Sequence, residues 1–173
     1  MIYLYVFNIS GIRSISEVAT LMSHLSEERK ERISKLRFNK DKLHCMFAEV
    51  ILKYALKEQF EINEVVIEKN AYGKPRLADY EDIHFNLSHS GDWVVCGVGD
   101  CNLGIDVERI LEIEREIADE FFAKEEIDYL GTIPENEWLN AFYTIWTLKE
   151  CYIKNVGEGM SIPLDSFAIA TLF

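Results

Sequence analysis

Asp106 and Glu108 stand two apart in Leu103-Gly104-Ile105-Asp106-Val107-Glu108-Arg109, a run whose apolar residues read as a buried strand. Side chains at i and i+2 of a strand project to one side, so Ile105 and Val107 can enter a core while the carboxylates converge on a cleft. Such a pair either binds a cation or repels itself. A third acid, Glu150, lies in Trp146-Thr147-Leu148-Lys149-Glu150-Cys151-Tyr152-Ile153-Lys154, where Glu150 and Lys154 share one helical face. Taken alone, the strand pair also fits a solvated face, and Glu150 with Lys154 also fits a simple intrahelical ion pair. Hard oxygen donors without histidine or thiolate partners suit Mg²⁺, with Mn²⁺ as an alternative, rather than zinc.

Magnesium commonly keeps waters and takes a substrate phosphate as a further ligand. Groups suited to an oxyanion occur in Gly73-Lys74-Pro75-Arg76 and in Ser88-His89-Ser90-Gly91. Small and hydroxylated residues there let backbone N–H groups approach an anion, although each stretch by itself is an ordinary turn. Cys45, Cys96, Cys101 and Cys151 are scattered, with no C-x-x-C pair. That spacing argues against a zinc site and requires no disulfide framework.

Several elements must position these residues. Residues 2–7 are continuously apolar and suit a buried strand. Ser16, Ser26 and Asn39 are candidate N-caps for three successive helices, the last a core helix running to about Phe60. Strands are expected at 65–68, 84–87, 93–98 and 103–107, separated by turn signals at Tyr72-Gly73-Lys74-Pro75 and Ser90-Gly91-Asp92. Helices are then expected near 112–121, over 124–130 and over 135–156, with a final strand over 166–172. A long helix followed by a β stretch occurs in both halves, which predicts an α+β fold of two similar, pseudo-duplicated lobes. Each would be an antiparallel sheet packed with helices, spanning residues 1–101 and 102–173.

The bulk properties limit the partners. A chain of 173 residues buries roughly two-thirds of its unfolded surface, enough for one globular unit of two tightly packed lobes. The net charge of −12 argues against a nucleic-acid partner, which needs a concentrated positive surface. The start of the chain, Met1 to Phe7, lacks a basic n-region, and no stretch approaches ~18 apolar residues. A soluble cytoplasmic protein without a membrane partner is expected.

Five motifs taken together are more specific than any one. Tyr72-Gly73-Lys74-Pro75, Phe85-Asn86-Leu87-Ser88-His89-Ser90, Gly104-Ile105-Asp106-Val107-Glu108, Phe121-Phe122-Ala123-Lys124-Glu125-Glu126 and Trp146-Thr147-Leu148-Lys149-Glu150 follow in order. In these motifs the chain resembles the 4′-phosphopantetheinyl transferases of the surfactin-synthetase-activating type. The resemblance implies Mg-dependent transfer of phosphopantetheine from coenzyme A to a serine of an apo carrier protein, releasing adenosine 3′,5′-bisphosphate. The carrier would be of acyl, peptidyl or polyketide type.

Residue by residue, the resemblance makes Asp106, Glu108 and Glu150 the metal ligands. It makes Glu126 the candidate general base and Lys154 the cation near the pyrophosphate. Tyr72, Gly73, Lys74, Pro75, Ser88 and His89 would contact coenzyme A, while Arg29 and Arg32 reach its 3′-phosphate. His44 would also contact a coenzyme A phosphate, more weakly, because it stands near a point where the family usually has arginine. The acids at 125 and 126 also suit a helix N-terminus on dipole grounds alone. Relatives of this type continue for several dozen residues past Pro163-Leu164-Asp165-Ser166-Phe167, so the last strand is expected to leave a sheet edge that another chain, through self-association, or local rearrangement covers. The resemblance leaves two rivals: a coenzyme A and carrier-binding module without transfer, and a magnesium-dependent pyrophosphate or phosphodiester hydrolase.

Overall fold

The computed structural model describes residues 1–169. In chain order its elements are β1 (Ile2–Asn8), α1 (Glu27–Lys35), α2 (Asn39–Phe60), β2 (Ile67–Lys69), β3 (Pro75–Leu77), β4 (His84–Ser90), β5 (Trp93–Gly99), α3 (Glu116–Phe121), α4 (Lys124–Leu130) and α5 (Glu135–Val156). Short 3-10 turns occupy Ile15–His24, Gly159–Ser161 and Leu164–Ser166. The fold is α+β, with antiparallel sheets packed against helices.

β4 and β5 form a hairpin closed by Gly91 and Asp92, and Gly91 takes φ +57°, a conformation open to glycine at little cost. β1 pairs antiparallel with β5 on its other side, giving the order β1-β5-β4. α2 lies across one face, burying Leu43, Met46, Leu52, Ala55 and Leu56 against Phe85, Val94, Cys96 and Val98. Ser26 caps α1 as expected, its hydroxyl accepting from the Arg29 N–H. α2 begins at Asn39, but Asn39 is not its cap: Phe38 holds that position without a side-chain bond.

β1 differs from the expected buried strand. Ile2, Leu4 and Val6 remain more than half exposed, while Tyr3 and Tyr5 turn toward the core. The reason is topological, since an edge strand covered by α2 on one face buries only alternate residues. β3 was not anticipated; it pairs with β2 in a small two-stranded sheet that shapes the 70–75 turn.

After Gly99 the described residues form helices and coil. α3, α4 and α5 enclose a second cluster of Ala118, Phe122, Leu130, Trp138, Phe142 and Ile145. The sheet expected in the second half is absent among the described residues. Residues 103–107 join no ladder; the Ile105 N–H and the Asp106 carboxylate bond to side chains of β4 instead. The strand expected over 166–172 is replaced at its start by the 3-10 turn, and Phe167–Ile169 join no sheet. Its remaining residues, with the edge expected there, lie outside the described residues.

Candidate active site

One face of β4 carries Asn86, Ser88 and Ser90 at two-residue spacing, and each reaches the segment 105–109. Asn86 Oδ1 accepts from the Ile105 N–H at 2.9 Å. The Ser88 hydroxyl donates to Asp106 Oδ1 at 2.7 Å. The Ser90 hydroxyl donates to Glu108 Oε2 at 2.9 Å and accepts from the Arg109 N–H at 3.0 Å. The acidic segment is therefore laced to β4 through side chains in place of a backbone ladder.

α5 closes on this segment from the other side, and Gly104 permits the approach. A Cβ at Gly104 would lie 1.9 Å from the Cys151 carbonyl oxygen and 2.6 Å from the Asn155 nitrogen. α5 thereby brings Lys154 to Asp106, with Nζ 2.6 Å from Oδ1 and 3.1 Å from the Ser88 oxygen. Asp106 is nearly buried, and its Oδ2 has no hydrogen-bond partner among the described residues. Burial, together with the charges of Asp106 and Glu108, pushes the half-buried Glu150 carboxyl above its ordinary value, against the pull of Lys154. The three acids thus share one electrostatic field.

They do not form a ready metal cage. Among the described residues, no three His, Cys, Asp or Glu groups converge as one. Of the expected clamp of Asp106, Glu108 and Glu150, Asp106 Oδ1 is engaged by Lys154 and Ser88, and Glu108 Oε2 by Ser90. In chemistry the donors still fit a hard divalent cation, because they are all carboxylates and Asp106 Oδ2 is a buried acceptor without a donor.

Glu150 and Lys154 line the first of two adjoining cavities. One, of about 670 Å³, is lined by Tyr72, Lys74, Trp146, Glu150, Lys154 and Leu164 among others. The second, of about 740 Å³, is lined by Ser26, Arg29, Arg32, Glu49, Lys53 and His89 among others. Gly73, Pro75 and Leu87 border both. His89 stacks on His44 with centroids 4.5 Å apart and planes 15° from parallel, and His44 Nε2 meets the Gly91 carbonyl oxygen at 3.0 Å. His44 is buried, whereas His89 stays exposed at the cavity wall while its ring is crowded on one side. That crowding first, and then the charges of His44 and Lys154, hold the His89 imidazole below its ordinary value.

Two expected roles meet a different geometry. Lys74 directs its ammonium to the carbonyl oxygens of Asn155, at 2.9 Å, and Leu103, at 3.3 Å. It ties the 70–75 turn to the carboxyl end of α5, where a cation complements the helix dipole. Asn70 reinforces the tie by donating to the Gly157 carbonyl at 2.9 Å. Glu126 is wholly buried and paired at 2.5 Å with Lys149, itself wholly buried. Its Oε2 also accepts from the Ala123 N–H and its Oε1 from the Ile169 N–H, so both oxygens are engaged. It lines neither cavity.

Residues 102–172 match the 4′-phosphopantetheinyl transferase superfamily, and residues 13–99 match the 4′-phosphopantetheinyl transferase N-terminal family. The chain is 35% identical over 158 residues to the 4′-phosphopantetheinyl transferase Sfp of Bacillus subtilis (strain 168), covering 90% of this chain and 70% of that protein. The chain belongs to the 4′-phosphopantetheinyl transferases. The transferase gsp of Aneurinibacillus migulanus is 40% identical over 151 residues, which cover 86% of this chain and 63% of gsp. The human L-aminoadipate-semialdehyde dehydrogenase-phosphopantetheinyl transferase is 30% identical over 158 residues, 82% of this chain and 51% of its own. The chain thus spans roughly half to two-thirds of these transferases.

Asn86, Ser90, Lys149 and Glu49 were not named as site residues from the sequence, although Asn86 and Ser90 bind the acidic segment and Lys149 and Glu49 form buried ion pairs. Alternating polar residues at 86, 88 and 90 in an otherwise apolar strand were a signal for the first two. Lys149 and Glu49 gave none, because a charged residue within an amphipathic helix looks solvated until its burial is known.

Proposed function

We propose that the protein transfers the 4′-phosphopantetheine group of coenzyme A to a serine hydroxyl of an apo carrier protein and releases adenosine 3′,5′-bisphosphate. One observation carries this reading beyond family membership: Lys154, tied to Asp106 and Ser88, lines with Glu150 the first of two cavities that share Gly73, Pro75 and Leu87 as a border. A donor cleaved at a central pyrophosphate needs its charge centre between two binding lobes. In the transfer, the serine oxygen bonds to the pantetheine-side phosphorus, the pyrophosphate P–O bond breaks, the 5′-phosphate of the nucleotide takes the electron pair, and the serine proton passes to water.

Asp106, Glu108 and Glu150 would hold Mg²⁺, which as a Lewis acid offsets charge on the leaving phosphate. Lys154 would supply a second positive charge on the same side, available once it parts from Asp106. Arg29, Arg32 and His89 line the second cavity and would bind the nucleotide phosphates, with His44 supporting His89. Tyr72, Gly73 and Pro75 would border the nucleotide, and Ser88 would serve through Asp106. Lys74 then acts as a strut between the halves. Glu126 can take the serine proton only after parting from Lys149, which favours an anchoring role over general-base catalysis.

The carrier surface is expected to be acidic. Residues 29–42 hold seven of the chain's 18 basic residues against two acids, in a chain of net charge −12, which supports electrostatic docking beside the second cavity. A division into lobes at 101/102 is likewise our reading, supported by two separate apolar clusters. Pseudo-duplication of the lobes is supported only by the recurrence of a 22-residue helix in each half, α2 and α5. Among the described residues no helix is long and apolar enough to cross a membrane.

The test is to mix the protein with Mg²⁺, coenzyme A and an apo carrier and to weigh the carrier. A gain of one phosphopantetheine mass is expected. No gain across several carriers refutes the transfer, and nucleotide release without carrier modification indicates hydrolysis.

A further inference from the structure

Glu49 is a buried acid in the wall of the second cavity, which Arg29, Arg32, Lys53 and Lys69 also line. It is 2% exposed, yet it carries four donors. The Ser26 N–H reaches it at 2.7 Å and the Ser26 hydroxyl at 2.9 Å. Lys53 Nζ reaches it at 2.8 Å and Arg29 Nε at 3.1 Å. Burial alone would raise its affinity for a proton, but Lys53 and Ser26 outweigh burial and hold the carboxyl below its ordinary value. Glu49 is therefore a charged, fixed acceptor.

Its contacts converge on one residue. The Ser26 oxygen accepts from the Arg29 N–H at 3.3 Å while donating to Glu49, and Glu49 accepts from Arg29 Nε directly. One carboxylate thus sets both the backbone and the side chain of Arg29. Arginine otherwise loses rotamer freedom when it grips a ligand, and a guanidinium held in advance avoids that loss. With Nε engaged and Nη1 touching Cys45 Sγ at 3.6 Å, the remaining N–H groups form the edge available to an anion.

We propose that Glu49 is a positioning residue that pre-sets Arg29 and thereby determines how strongly the protein prefers a donor bearing a 3′-phosphate. The proposal rests on coenzyme A as donor and goes beyond it by naming what fixes the phosphate grip. A purely mechanical role for Glu49, pinning α1 to α2, would affect every ligand alike. A positioning role affects only ligands that Arg29 reads.

The experiment is calorimetric titration of the full chain with coenzyme A and with dephospho-coenzyme A, which lacks only the 3′-phosphate. It covers wild type, Glu49→Gln, Arg29→Ala and the double variant, with melting curves alongside. The wild type should prefer coenzyme A, and Glu49→Gln should reduce that preference by about tenfold, the weight of one charge-assisted hydrogen bond. Adding Glu49→Gln to Arg29→Ala should change the preference no further. Where Glu49→Gln does not fold, Glu49→Asp withdraws the carboxylate from Arg29 while keeping its charge, and the same loss is expected. Equal weakening of both nucleotides, or an unchanged preference, overturns the proposal. A wild type that binds both but does not discriminate also overturns it, whereas one that binds neither overturns the coenzyme A reading itself.

Discussion

Replacing Lys149 by methionine should destabilise the protein far more than replacing Lys149 and Glu126 together. The two charged groups are 2.5 Å apart and neither has any exposed side-chain surface, so solvent does not screen them. Removing one partner of a buried pair costs about 3–5 kcal/mol, because the other charge is left without compensation. Glu126 would keep the N–H groups of Ala123 and Ile169, which places the Lys149→Met cost near the lower end, about 3 kcal/mol. For a chain of this size that is a fall of about 6–12 °C in Tm. Lys149 also lies 4.3 Å from the Phe167 ring centroid and donates to the Phe167 carbonyl, so about 1 kcal/mol of the loss should persist in Glu126→Gln/Lys149→Met. The coupling between the sites should then exceed about 2 kcal/mol, by as much as Glu126→Gln costs on its own. Urea denaturation followed by circular dichroism measures all four proteins. Additive single-variant effects would refute the anchoring role of Glu126. So would Glu126→Gln at full stability with kcat lowered about 10²-fold or more, the signature of a general base.

Three further outcomes are expected. His89 is held below its ordinary value of 6.5, so the unfolded chain takes up its proton first as pH falls. Its stabilising share is complete above about pH 6.5 and is lost as pH drops toward the folded value. His89→Asn should flatten the decline of the urea midpoint between pH 8 and pH 5.5, and an unchanged slope would contradict this. Glu150 has the opposite sign: its carboxyl is raised, first by burial, so its share of stability is lost as pH rises through the folded value. Glu150→Gln should therefore raise Tm in chelator at neutral pH while losing the added stabilisation expected from Mg²⁺ in the wild type; a full Mg²⁺ response in the variant would remove Glu150 from the ligand set. Gly104→Ala forces a Cβ against the backbone of α5, which should cost about 2–3 kcal/mol and separate Lys154 from Asp106. A normally stable, active Gly104→Ala protein would show that this close approach is not needed.

The elements with the strongest local signals were legible in the residues. α5, α4 and the β4–β5 hairpin stand where periodicity and the Ser90-Gly91-Asp92 turn put them, because amphipathic spacing and turn chemistry are local properties. The segment 103–107 misled for a physical reason. Its alternation of apolar and acidic residues is genuine, but Asn86, Ser88 and Ser90 supply its hydrogen bonds from side chains, and no local pattern distinguishes that from a ladder. β1 misled similarly, since an apolar run does not reveal whether one face or two will be covered.

The sequence by itself determined the chemistry available: carboxylates at 106, 108 and 150, lysines at 74 and 154, and histidines at 44 and 89, set in motifs whose order marks the transferase family. The tertiary structure decided which charges meet. It joined Lys154 to Asp106 across 48 positions, spent Lys74 on backbone carbonyls, and enclosed Glu126 with Lys149 in the interior. A charge takes its role from burial and from the nearest opposite charge. Both are fixed by contacts between residues distant in the chain, which the motifs around Glu126 and Lys74 do not encode.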